Sequence, residues 1–342
     1  MRRLNKVLAQ ITQSRASSTF HTMPPSFILS LMGSAVSGGS ASLSTTSQLT
    51  SLLTLAAQHN IRDLDTAKAY TNGFGSAEAL LGSVDKSLTS KFRIDTKAPA
   101  FSPGSLSGEK ILANCAISLR DLKEEKVHFY YLHGPDTATP YQEKVDALAN
   151  LHAQGKFEAW GVSNIPPDEV RKMYDYCVEK GYPPPKVYQG IYNPLHRASE
   201  TTLFPLLKEL GMSFYGYSPL AGGLFAKPIE QLLNPEKGSR YDQMKHFSNM
   251  YLSDPVMVDA IKRLAKTCEE EGMTLLEATL RWLRWHSALE EKDGIIVGTG
   301  SIGQLEQTVR CVDKGRLEEK VEGAFVRLWD DVKAKALPGW IG

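Results

Sequence analysis

Eight short apolar runs, each followed by a longer amphipathic segment, constrain this chain more than any other feature. The runs are Phe27–Met32, Ile61–Leu64, Phe92–Ile94, Val127–Leu132, Ala159–Val162, Val187–Ile191, Ser213–Tyr217 and Ile295–Val297. Between them, apolar residues recur at helical spacing, as in Leu49, Leu52, Leu53 and Ala56, or Val145, Leu148 and Leu151. Strand-like runs alternating with amphipathic helices imply parallel pairing, because each crossover helix returns the chain to the same end of the sheet. Eight such units in 342 residues predict a (β/α)8 TIM barrel rather than two α/β domains. The barrel domain is expected over 26–342, after a basic extension over 1–25. The β7–α7 interval is long, and 222–253 reads as a large surface loop. Two more helical stretches, near Gln304–Lys314 and Leu317–Lys335, are expected to pack outside the barrel or over one end.

Composition narrows the function classes. Hydrophobic residues make up 42 % of the chain, enough for a substantial core, and 39 basic side chains are balanced by 38 acidic ones. That balance argues against a nucleic-acid partner, whose phosphates require clustered Lys and Arg. No run of roughly 18 apolar residues offers a membrane span. The cysteines, Cys115, Cys177, Cys268 and Cys311, form no C-x-x-C pair, so no metal site is expected and reduced thiols in the cytoplasm are the default. The first acidic residue is Asp63, whereas residues 1–25 carry Arg2, Arg3, Lys6 and Arg15 among several Ser and Thr. Mitochondrial delivery by that segment is the alternative address, and a basic extension without an address the bland one.

The ends of the predicted strands carry the chemistry. They read Asp65, Lys97, His133, Ser163–Asn164, Gln189, Tyr217–Ser218 and Gly298–Thr299. In a parallel barrel these positions share one face, where the loops converge. Each alone has a bland reading: His133 as a buried, hydrogen-bonded histidine, Lys97 as a loop lysine. Together they have a use. Tyr70, five residues after Asp65, can return over the mouth. A phenol titrates near pH ~10, and an adjacent ammonium from Lys97, held by Asp65, is expected to lower that value. Tyr70 could then pass a proton to a carbonyl oxygen oriented by His133. A hydride must reach the carbon, and side chains cannot supply one; a nicotinamide can. Asn164 and Gln189 suit a carboxamide, and Tyr217 suits a flat ring.

With those residues in view, the chain resembles the aldo-keto reductases from about residue 27 to its end. The motifs are Asp-Thr-Ala-Lys-Ala-Tyr (65–70), Ile-Asp-Thr-Lys (94–97), Tyr-Tyr-Leu-His-Gly-Pro-Asp (130–136), Gly-Val-Ser-Asn (161–164), Tyr-Gln-Gly-Ile-Tyr-Asn (188–193) and Tyr-Ser-Pro-Leu-Ala-Gly-Gly-Leu (217–224). Several versions look most like the aflatoxin-aldehyde reductase branch. The resemblance implies Tyr70 as proton donor, Lys97 and Asp65 as its tuning pair, and His133 as substrate orienter. It implies NADPH as cofactor, with contacts from Ser163, Asn164, Gln189, Tyr217, Ser218, Pro219, Leu220 and Gly222. Gly298, Thr299, Ser301, Gln304 and Gln307 would hold the adenosine phosphate end, where a helix opening at Ser301 turns its first amides toward an anion. Arg240 is a further expected contact. A small-molecule carbonyl substrate and a homodimer are also implied, in detoxification or specialised biosynthesis.

The chain departs from the pattern in places. Gly33–Ser34 stands where the family has Gly-Thr, Ala226–Lys227–Pro228 where a Gly-Lys is usual, and Thr308 where an Asn is more usual. Other readings compete. Gly298-x-Gly300-x-x-Gly303 matches a dinucleotide fingerprint formally, but too little chain follows it for a second βαβ unit. Tyr176 and Lys180 form a Tyr-x-x-x-Lys pair that reads as an ordinary amphipathic helix. His152, His196, His246 and His286 read as structural or surface residues, and Trp282 and Trp285 as core. The rival from another class is a non-catalytic, nicotinamide-binding regulatory subunit of the potassium-channel β type, which the family includes.

Overall fold

The computed structural model describes residues 23–32, 43–72, 75–235, 237 and 245–336. Strands β1 (Ser26–Ser30), β2 (Asp63–Asp65), β3 (Arg93–Ala98), β4 (Val127–Leu132), β5 (Phe157–Ser163), β6 (Val187–Ile191), β7 (Ser213–Tyr217) and β8 (Gly294–Gly298) pair in parallel, each with its chain neighbour. β8 returns to β1, with Ser26 opposite Gly294 and Ser30 opposite Gly298, and the barrel closes. Closure removes both sheet edges and leaves no crevice between two half-sheets. The fingerprint at Gly298 therefore does not belong to a doubly wound domain.

Strand alternation splits the core in two. Ile28, Tyr131, Val187, Tyr215 and Ile296 fill the barrel interior. Their neighbours Phe27, Leu29, Tyr130, Leu132 and Ile295 face outward against the helices. Both strand faces are thus buried, which is why the runs read as nearly continuous apolar stretches. Gly161 makes room inside: a Cβ there would lie 2.5 Å from Val187 and 2.7 Å from the Tyr131 ring.

The outer ring comprises α1 (Thr46–Gln58), α2 (Ala77–Leu81), α3 (Gly108–Leu122), α4 (Tyr141–Ala153), α5 (Pro167–Lys180), α6 (Phe204–Glu209), α7 (Pro255–Glu270) and α8 (Leu275–Trp285), followed by α9 (Ile302–Val312) and α10 (Glu319–Val332). Local chemistry sets several ends. Thr45 and Gln48 cap α1 reciprocally, Pro167 opens α5, and Gly181, at φ 70°, closes it. In α5, Tyr176 is half-buried and bonds Asp146 while Lys180 lies over its ring, so this pair is structural. Trp282 is buried and stacks on Phe325 of α10, which packs along α7 outside the barrel; Trp285 is only partly buried. All four cysteines are free and buried.

The 222–253 segment corrects the expectation of a surface loop. Ala221–Ala226 forms a 3-10 turn, and helices run over Ile229–Leu233 and Lys245–Leu252. Leu224, Phe225, Ile229, Leu232 and Tyr251 are buried. Its Gly and Pro content suggested a loop, but apolar residues three to five apart give these short pieces an inner face. Residues 1–22, Gly33–Ser34 and Arg240 lie outside the described residues.

Candidate active site

The strand register brings the charged residues together. Asp65 ends β2, and Lys97 lies one residue before the end of neighbouring β3. Both point into the mouth and are almost fully buried. Lys97 Nζ donates to Asp65 Oδ1 at 2.6 Å, to the Thr66 carbonyl at 2.8 Å and to the Tyr70 hydroxyl at 3.3 Å. All three ammonium protons therefore have an acceptor. Asp65 is satisfied in turn by the Gln189 amide at 2.8 Å and the Ser30 hydroxyl at 3.4 Å. A buried ion pair is tolerable only when both ions are bonded in this way.

Tyr70 arrives by a turn after β2. The Thr66 amide donates to the Asp95 carbonyl, and the Tyr70 amide to the Ala67 carbonyl. Lys68 points away from the mouth and bridges Asp121 of α3 at 2.7 Å and Glu78 of α2 at 3.8 Å, stapling the turn from behind. The Tyr70 ring lies edge-on to His133, with centroids 5.8 Å apart. The four expected catalytic side chains thus occupy one cluster.

The electrostatics overturn one expectation. Tyr70 is held well above the ordinary phenol value, not below it, by burial first and then by the charge and hydrogen bonding of Asp65. Asp65 cancels the ammonium that was expected to acidify the phenol, and desolvation disfavours the phenolate. Tyr70 is consequently a neutral phenol with a proton to give. Burial, aided by the Lys97 charge, pushes His133 down to about 3, so the imidazole is neutral at physiological pH.

Beside this cluster lies a second one. Asn164 takes the left-handed conformation at φ 57° just past β5. Its amide donates to the Ser163 hydroxyl at 3.0 Å and the His133 carbonyl at 3.3 Å, and its oxygen accepts from Tyr217 at 2.8 Å. Ser163, Asn164 and Tyr217 are therefore one hydrogen-bonded group adjoining Gln189. Ser218 follows at φ 54°, its carbonyl accepting from Asn193 at 3.0 Å. Pro219, Leu220 and Gly222, the last at φ 70°, continue into the 3-10 turn. After β8, Ser301 caps α9 by accepting from the Gln304 amide at 3.3 Å. The Gln304 side chain accepts from the Gly300 amide at 2.8 Å, and Thr299 donates to the Ser301 carbonyl at 2.6 Å. Gln307 stands exposed on α9.

A dinucleotide suits this rim. A Cβ at Gly298 or Gly303 would meet nothing within 4 Å. Both glycines thus leave open space beside the N-terminus of α9, whose first amides lack partners within the helix. The hydrogen-bonded Ser163–Asn164–Tyr217 group lies beside Gln189 on the same rim.

The profile of the Aldo/keto reductase family matches residues 31–330. The chain belongs to the aldo/keto reductase family. It is 38 % identical to oxidoreductase sirO of Leptosphaeria maculans over 82 % of this chain and 84 % of that protein. It is 33 % identical to aflatoxin B1 aldehyde reductase member 2 of Rattus norvegicus, over 80 % and 78 %, and 34 % identical to human aldo-keto reductase family 7 member A3, over 78 % and 84 %. The aldo/keto reductase assignment makes the protein an oxidoreductase of a carbonyl-reducing family whose members use a nicotinamide dinucleotide. Among the described residues no metal-ligating cluster occurs, and no helix is long and apolar enough to cross a membrane.

Sequence reasoning missed three contributors. Ser30 and the Thr66 carbonyl complete the shells of Asp65 and Lys97, and nothing but contact in the fold marks them. Asp136 was within reach as the last residue of Leu-His-Gly-Pro-Asp. It accepts from the amides of Gly104, Leu106 and Ala138 and from the Thr139 hydroxyl, tying the loop after β3 to the loop after β4.

Proposed function

We propose that the protein reduces an aldehyde or ketone to the alcohol with NADPH, with Tyr70 delivering the proton. One observation carries the reading: the Tyr70 hydroxyl lies 3.3 Å from an ammonium that is buried, paired with Asp65 and beside a neutral His133. The nicotinamide, when bound, supplies the hydride. Ser163, Asn164, Gln189 and Tyr217 would hold its ring end, and Ser218 through Gly222 with Gly298, Thr299, Ser301, Gln304 and Gln307 its phosphates and adenosine.

The chain's own residues account for the proton. Burial keeps Tyr70 protonated until negative charge develops on a carbonyl oxygen beside it. The phenol then releases its proton to that oxygen, and the Lys97 ammonium stabilises the phenolate left behind. Asp65 holds the Lys97 ammonium in place beside the Tyr70 hydroxyl. A neutral His133 can offer one N–H to the same oxygen without competing as an acid. The name of the rat relative, an aflatoxin B1 aldehyde reductase, favours an aldehyde as substrate.

The test is loss of NADPH absorbance with para-nitrobenzaldehyde, succinic semialdehyde and a dicarbonyl, in parallel with NADH. Turnover of at least one substrate, faster with NADPH, is the expected result. Tight NADPH binding without turnover of any carbonyl would sink the reading and favour a nicotinamide-binding regulatory subunit.

A further inference from the structure

Phe101 is an anomaly at the rim. It is 51 % exposed, among the few large apolar side chains so open, and its backbone sits at φ 72°. An aromatic residue in this left-handed region is strained. No helix cap requires it, unlike Lys123 at φ 55°, which ends α3. The strain places the ring over Gly134, where a Cβ would lie 2.3 Å from two ring atoms. From there it meets the His133 imidazole edge-on, with centroids 5.8 Å apart. Tyr70 meets that imidazole at 5.8 Å also.

The loop that carries Phe101 is pinned at both ends. Its amide donates to the Pro135 carbonyl at 3.4 Å, and Asp136 holds the amides of Gly104 and Leu106 at 2.9 and 2.8 Å. Burial tends to raise the Asp136 carboxyl, but the Thr139 hydroxyl and three backbone amides outweigh it and hold it down at about 2. The clamp is therefore ionised at any working pH. The His133 backbone is likewise fixed, its amide on the Ala98 carbonyl and its carbonyl on Asn164. The imidazole thus makes edge contacts with both the Tyr70 and the Phe101 rings.

We propose that Phe101 is a positioning residue for His133: held strained by the Asp136 clamp and admitted by Gly134, its ring forms one wall of an aromatic slot whose other wall is Tyr70. The inference rests on the reading of His133 as the group that orients the carbonyl. The slot fixes the imidazole plane and shields it from water, so that its N–H meets the carbonyl oxygen as charge develops. The benefit falls in the transition state rather than on substrate binding.

Three full-length variants test this. Phe101→Ala removes the ring, Gly134→Ala keeps the ring but displaces it, and Phe101→Tyr keeps ring and shape. With NADPH and para-nitrobenzaldehyde, the first two should lose roughly tenfold in kcat with KM within about twofold, and Phe101→Tyr should match wild type. A readout independent of turnover is the nitrogen NMR titration of the His133 imidazole, which faces Tyr70, Phe101 and the Lys97 charge. Wild type should show no His133 titration above about pH 5, whereas the two disrupted variants should titrate toward the ordinary ~6.5. A raised KM at unchanged kcat, as expected of a ring that only lines the substrate's path, would overturn the proposal. So would an unmoved imidazole titration in both variants, whatever the kinetics. If wild type turns over no carbonyl, the functional reading fails, and the titration still decides the role of Phe101.

Discussion

Two charge pairs span the same two strands, one dry and one half in water. At the mouth, Asp65 of β2 pairs with Lys97 of β3; at the floor, Asp63 pairs with Arg93 through two short bonds of 2.6 and 2.7 Å. Strand alternation puts all four side chains on related positions, two or four residues apart. The floor pair is closed on itself: the guanidinium fork satisfies both carboxylate oxygens, and the Arg93 side chain remains 57 % exposed. The mouth pair is dry and leaves one ammonium donor over for Tyr70. What sets the mouth pair apart is that water is excluded and one bond is left to share, not that opposite charges meet.

The sharpest way to break the comparison is to remove what the mouth shares. Tyr70→Phe should lower kcat by about 10²–10⁴-fold while leaving NADPH binding, followed by fluorescence, unchanged. Unchanged turnover would remove Tyr70 as proton donor. Lys97→Met should cost a similar factor in kcat and also about 3–5 kcal/mol in denaturant unfolding, because Asp65 is left buried without its counter-charge. Wild-type stability in that variant would show that the pair is not dry.

The two ends should also answer pH with opposite slopes. Below its pKa of about 3 the folded His133 would protonate, but the unfolded chain takes that proton near 6.5. Its contribution is therefore present above about pH 6.5 and lost as pH falls toward 3. Asp95, beneath Lys97 on β3, runs the other way. Burial raises it to about 6 against the help of His128, whose Nδ1 lies 2.9 Å from Oδ1. Its contribution is full below about pH 3.9 and is lost as pH rises through 6. Urea titrations from about pH 3.5 to 7 should show Asp95→Asn removing a loss of stability as pH rises from about 4 to 6, and His133→Gln removing a loss as pH falls below about 6.5. Identical profiles for both variants would contradict these environments.

The smallest effect belongs to the floor. Arg93→Met should cost less stability than Lys97→Met, about 1–3 kcal/mol, because it leaves Asp63 buried without its partner although the guanidinium is already half in water, and should leave kcat untouched. A loss of turnover comparable with Lys97→Met would mean that the floor pair supports the mouth, and the contrast between the two ends would collapse.

Much of this was legible in order and spacing. The eight runs fall on the eight strands, and Asp65 and Lys97 lie where strand ends were expected, whereas Gln189 sits in the middle of β6 and reaches Asp65 from inside the barrel rather than from a strand end. The 222–253 interval was misjudged because helices of five to eight residues carry too few turns to show a period among Gly, Pro and Asn. The direction of the Tyr70 shift was misjudged for another reason. A sequence tells that an ammonium and a carboxylate are near a phenol, but not that the carboxylate neutralises the ammonium at 2.6 Å while burial removes the water. Phe101 reads in sequence as one more aromatic beside a proline turn.

Hydrophobic periodicity and residue order by themselves determined the closed parallel barrel and the face that carries the polar residues. These follow from local patterns with periods of two and 3.6 residues. Only the tertiary structure decided which donors reach which acceptors, the protonation states of Tyr70 and His133, and the strained seat of Phe101 over Gly134. Such properties depend on exclusion of water and on contacts between residues far apart in the chain, and no local pattern encodes either.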